Sequence, residues 1–236
     1  MQPATLNTAS RLAMLAERMT KMHAQIGRDI LVARSRRALA EAAAQFERAF
    51  KETAAAAASH EARENYKLLR ALWEEFRLAA THAPTAEGAR KLAQRTEEVA
   101  WVAAKGARML HGEGHSRGGE LVMSAGAARA AAQRLGKLHM LRGWALEANA
   151  APRDLKAAEG EIFLALAQLR SAAETAEDTA ASLAMAESQL ALLRQAAERL
   201  ERGRDRALQL EHIAKGADII TETMDGAAKD YEALAR

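Results

Sequence analysis

The 236-residue chain contains no cysteine. Disulfides, thiolate metal sites and cysteine nucleophiles are therefore excluded, and cysteine usage fixes no redox compartment. Aromatic residues make up only 4% of the chain, which excludes a core of large rings over most of its length. Three prolines interrupt it. No apolar run approaches the roughly 20 residues that a membrane-spanning helix needs; Ile162–Ala167 is among the longest. No stretch alternates apolar and polar residues as a half-buried strand does. No secretory leader is visible either, although Met1 before Gln2-Pro3-Ala4 is compatible with a start codon placed on a processed mature protein.

What is present is alanine, leucine, glutamate, arginine, glutamine and lysine, the strong helix formers. The expectation is an all-α protein. Net charge is +3, and residues 1–40 hold seven Lys/Arg against two acids. Such a balance suits an anionic surface or nucleic acid. Aromatic-basic interleaving and helix-turn-helix spacing are both missing, so these charges read as a solvated helical face and no nucleic-acid partner is expected.

Helical periodicity and breakers predict eight helices, at about 7–34, 36–58, 60–81, 86–110, 120–147, 153–174, 178–200 and 204–235. Thr5 or Asn7 is the expected first cap, and Thr85, after Ala83-Pro84, the expected cap of the fourth helix. Tyr66, Leu69, Trp73, Phe76 and Ala80 share one face of the third. Trp73, Trp101 and Trp144 are read as bundle core. Residues 112–118 are glycine-rich and mark a boundary between modules 1–111 and 119–236. Residues 149–152 form a second stop and restart. Short connections suggest two elongated antiparallel four-helix bundles in tandem.

The division is supported by a repeat. Glu17-Arg18-Met19-Thr20-Lys21-Met22-His23 returns 116 positions later as Gln133-Arg134-Leu135-Gly136-Lys137-Leu138-His139. The Arg, Lys and His columns are identical, and a period near half the chain reads as two copies of one helical module. On the first helix of each copy, Ala9, Ala13, Ala16 and Thr20 form a stripe whose counterparts are Ala125, Arg129, Ala132 and Gly136. A second stripe, with Arg11, Met14, Leu15, Arg18 and Met22, is mixed apolar and basic. Arg129 is the odd member of an otherwise small stripe. A guanidinium there needs an anion or a carboxylate, because an unpaired buried charge is very costly. Its planar donors suit carboxylate, phosphate or another planar oxyanion. Two readings stay open: an anion site at a helix–helix seam, or an arginine paired with an acid on a neighbouring helix.

Other chemistry is sparse. No histidine has glutamate three residues before it, as a di-iron bundle requires. His111 and His115 are the weak metal candidates, on glycine-flanked chain; otherwise no metal and no cofactor are expected. No phosphate loop, nucleophile elbow or catalytic carboxylate pair stands out, so an enzyme is not expected.

The run Asn7-Thr8-Ala9-Ser10-Arg11-Leu12-Ala13-Met14-Leu15-Ala16-Glu17-Arg18-Met19-Thr20-Lys21 resembles the opening helix of PilJ-type sensor domains. These form the N-terminal region of type IV pilus methyl-accepting chemotaxis transducers and are related to nitrate/nitrite sensor kinases. Copy two matches the motif through Ala125, Gly126, Arg129, Gln133, Arg134 and Lys137. The resemblance implies one four-helix bundle per copy, a periplasmic or other extracytoplasmic setting, and ligand sensing. In nitrate-binding members the motif's first arginine, supplied by both subunits of a dimer, grips the ion. That position is Arg129 in copy two and Ala13 in copy one. Asn7 keeps the motif's asparagine, and Arg18 and Arg134 keep its second arginine. The implied ligand set is Arg129, Gly126, Ala125, Arg134, Asn7, Ala13 and Arg18, around nitrate or nitrite. Two geometries follow: the two leading helices of one chain pack together, or Arg129 meets its mate in a homodimer. The competing expectation is a ligand-free helical adaptor docking to a pilus, a chemoreceptor or another membrane-bound signalling partner.

Overall fold

The computed structural model describes residues 3–147, 152–172 and 174–233. These residues form eight helices and no strand: α1 (Pro3–Gly27), α2 (Val32–Ala56), α3 (His60–Thr81), α4 (Ala86–Gly112), α5 (Arg117–Leu141), α6 (Pro152–Ser171), α7 (Glu177–Glu201) and α8 (Arg206–Ala233). The all-α expectation holds. Among the described residues no helix is long and apolar enough to cross a membrane.

Several ends differ from the periodicity. The first helix stops at Gly27 rather than near residue 34, because Asp29 and Leu31 adopt positive φ and Ile30 N–H closes back on Gln25 O (2.9 Å). Asn7 caps nothing: Pro3 opens the helix and Asn7 lies inside it, buried. Thr85 does cap α4, its Oγ1 accepting from Gly88 N–H at 3.0 Å. The connection between halves is only residues 113–116, since Gly112 ends α4 while Gly118 and Gly119 belong to the first turn of α5, capped by Ser116. The restart at 149–152 falls on residues outside the described set except Pro152, which opens α6.

The halves repeat one plan. The buried face of α2 (Ala42, Phe46, Ala49, Phe50, Thr53) returns 116 residues on as Ala158, Ile162, Ala165, Leu166 and Leu169 of α6. Between α4 and α8 the offset is 121: Leu92, Thr96, Val99, Ala103, Ala107 and Leu110 correspond to Ile213, Ala217, Ile220, Met224, Ala228 and Tyr231, all buried. The first half packs its outer layer with rings, Phe46 stacked on Trp73 at 3.8 Å, whereas the second uses aliphatics. Trp101 departs from the expected core placement. It is 60% exposed on α4, with Lys105 Nζ 5.5 Å from its ring centroid.

The two four-helix sets lie side by side and share one continuous core. At its centre α1 and α5 run parallel and in register: Ser10 meets Gly126, Lys21 meets Gly136, and Arg28 reaches the carbonyl of Met140. Both helices are buried nearly all round. That explains why their composition is small and apolar on more than one face. Within the chain the two leading helices pack together, with Arg129 against Asn7 and Ser10 rather than Ala13.

Candidate functional site

The α1–α5 seam carries an unusual density of buried charge. Side chains there interlock with α4 on one side and α8 on the other. Arg129 is fully buried on α5. Its Nη2 donates to Asn7 Oδ1 (2.7 Å) and Ser10 Oγ (2.6 Å) on α1, and its Nη1 donates to Asp225 Oδ1 on α8. Asn7 in turn donates to Glu232, and Ser10 to the carbonyl of Asn7. Arg11 joins the same Asp225 carboxylate at 3.2 Å. Gly126 permits this closeness: a Cβ there would stand 2.5 Å from that of Ser10. Ala125 is buried beside it without a polar role.

About two turns beyond Arg129 on α5, and about three beyond Ser10 on α1, are two buried lysines at the repeated position. Lys21 Nζ lies 2.6 Å from Asp218 on α8, and Lys137 Nζ lies 2.6 Å from Glu97 on α4 and 2.8 Å from Glu17 on α1. With the 121-residue offset, Glu97 and Asp218 are counterparts, so each lysine crosses the seam to an equivalent acid in the other half. Burial works to raise the Asp218 carboxyl, but Lys21, Arg18 and a hydrogen bond from Gln133 (3.1 Å) together hold it below the usual range. Burial likewise works to lower Lys137, but Glu17 and Glu97 keep its ammonium above its ordinary value.

The structure brings Asn7, Gly126 and Arg129 into one cluster. Ala13 does not touch the guanidinium; it lines a cleft of about 480 Å³ between α4 and α6, with Ala104, Ala107, Ala127 and Ala130, which Ser10 and Gly126 of the cluster also line. By symmetry this cleft is the counterpart of the Arg129–Asp225 contact: Ala13 stands for Arg129 and Ala104 for Asp225. Arg134 turns outward to Glu161 (3.3 Å), and Arg18 faces Asp218 (3.9 Å). The rings of His111 and His115 lie 5.4 Å apart. Among the described residues no group of three or more His, Cys, Asp or Glu is placed to hold a metal ion. Asp225, Asp218, Glu97, Glu17 and the two lysines are additions to the expected set. Only the identical lysine column of the repeat signalled them.

The repeated histidines differ. His23 Nδ1 lies 3.1 Å from the carbonyl of Ala80, whereas neither ring nitrogen of buried His139 has a hydrogen-bond partner. Burial, reinforced by Arg142, pushes His139 from 6.5 down to about 4. The unfolded chain therefore binds this proton well before the folded one does. The neutral ring costs nothing above pH ~6.5, and stability falls progressively as pH drops toward 4, by about 3 kcal/mol at the limit. Urea unfolding between pH 7 and 4 should show this slope in the parent and a shallower one in His139→Phe; equal slopes would contradict it.

No family model matches this chain, and no curated protein or solved structure matches it at a significant level.

Proposed function

We propose that this chain is a non-catalytic helical signalling module, a single-chain counterpart of a PilJ-like sensor dimer, that works outside the cytoplasmic membrane by contact with a membrane-bound signalling partner. One observation carries the reading. The two equivalent helices pack parallel across charged groups that each half supplies to the other, and both terminal nitrogens of the central guanidinium are taken by the chain itself, its buried Nε alone being without a partner. Asp225, Asn7 and Ser10 stand where a planar anion would sit on Arg129. The seam then serves as a lock that sets the relative position of the two bundle halves, the quantity a partner would read.

The second reading is a nitrate- or nitrite-type sensor at the same guanidinium. It is favoured by the 29% exposure of the Asp225 side chain and by the convergence of Arg11 and Arg129 on it. An incoming anion would take over the place of that carboxylate. Calorimetry separates the two. The self-filled lock predicts no heat with nitrate or nitrite, and nitrate-dependent stabilisation only in Asp225→Ala, where the guanidiniums are released. Heat with the parent protein that vanishes in Arg129→Ala would instead establish the sensor reading.

A further inference from the structure

The internal symmetry exposes a charge imbalance at the edge of the seam. Around Lys137 in one half, two cations, Lys137 and Arg134, face three carboxylates, Glu17, Glu97 and Glu161. Around the equivalent Lys21, three cations face one carboxylate: Lys21 at 2.6 Å, Arg34 at 3.8 Å and Arg18 at 3.9 Å all converge on Asp218. The difference lies in specific substitutions. Glu17 is matched by Gln133, and Glu161 by Gln45, so two acids have become amides of the same shape. Arg34 is an additional cation, and the residue 116 positions further along the sequence is alanine.

The arrangement is accessible and incompletely bonded. Lys21 and Gln133 both take Oδ1 of the single carboxylate, and Arg34 approaches its Oδ2 only to 3.8 Å. Arg18 Nε is a buried donor atom with no hydrogen-bond partner, although the side chain as a whole is 23% exposed. Arg34 is 53% exposed. A buried donor without an acceptor is costly, and clustered like charges repel unless an anion lies between them.

We propose that Arg18 and Arg34, backed by Lys21, form a binding site for a compact divalent oxyanion such as phosphate or sulfate. The local excess is two positive charges, which a dianion neutralises and a monoanion does not. Guanidiniums match oxyanion geometry through paired donors. This site is separate from Arg129 and does not rest on the signalling role above.

Thermal shift and calorimetry with inorganic phosphate and with sulfate, against chloride at equal ionic strength, test the site. Both dianions should stabilise the full chain beyond chloride. Gln45→Glu returns the carboxylate that the other half has, at an exposed helical position. It should weaken dianion binding about tenfold or more, the loss expected when a charge-assisted contact is pre-empted, while leaving melting in dianion-free buffer unchanged. Arg34→Ala should weaken binding by a similar factor. Stabilisation no greater than that by chloride, or dianion binding untouched by both variants, would overturn the assignment.

Discussion

Lys137→Ala is expected to destabilise the protein by about 3–5 kcal/mol, the range for breaking a buried ion pair from one side. Lys137 is fully buried, and its ammonium bridges Glu17 and Glu97. Glu97 is 60% exposed and rehydrates when the lysine is gone. Glu17 is 4% exposed and is left as a carboxylate without a cation. Burial already pushes its carboxyl upward, with Lys137 the main opposing influence. Removal of the lysine therefore drives Glu17 toward protonation or forces water into the seam. The second half shows how the structure tolerates the position without a charge, because Gln133 occupies it there. Glu17→Gln in the Lys137→Ala background should accordingly recover a large part of the loss. A double-mutant cycle by urea unfolding measures that recovery as coupling between the pair. A single-variant cost under about 1 kcal/mol, or strictly additive effects, would mean that the ammonium contributes no more than a surface pair.

The repeat and the helical class were legible in the sequence because both depend on local chemistry. Alanine and leucine periodicity sets the helices, and the identical Arg, Lys and His columns set the register of α1 on α5. The singular character of Arg129 was legible for the same reason, since a lone guanidinium in a stripe of Ala9, Ala13 and Ala125 demands an acceptor. The acceptor was not. Asp225 lies 96 residues away, on a helix whose offset from α4 has slipped from 116 to 121. That slip hides the equivalence of Glu97 and Asp218 from any comparison at constant spacing, so the two crossed lysine–acid pairs emerge only from packing. The break at residues 28–31 was obscured for a different reason. Leu31 is an apolar residue in a left-handed conformation, a state that side-chain preference argues against, and it follows Ile30, which is buried in one cluster with Ala24 and Met140. Trp101 was misplaced because ring size favours burial, yet the helix rotation dictated by Val99, Val102 and Ala103 turns position 101 outward.

Arg129→Ala should cost about 3–5 kcal/mol, the sum of a large-to-small cavity and two buried acceptors left unpaired, and so has a different signature from the lysine variant. Asp225 stays paired with Arg11 and partly exposed, so little of the loss arises from a stranded carboxylate. The loss comes from Asn7 and Ser10, whose buried oxygens no longer receive the Nη2 donor, and from the space a full arginine side chain vacates. The other half contains the outcome in native form. Where Arg129 and Asp225 have Ala13 and Ala104 as counterparts, the chain does not close up but leaves a cleft of about 480 Å³. The Arg129→Ala, Asp225→Ala double variant should reproduce such an opening on the opposite side of the seam, detectable as faster hydrogen exchange in α1 and α8. Arg129→Lys keeps the charge but offers one compact donor head in place of a fork spanning Asn7, Ser10 and Asp225. It should therefore recover less than half of the alanine loss. Full recovery by lysine would show that charge alone matters there, and with it the geometric role assigned to the guanidinium would fail.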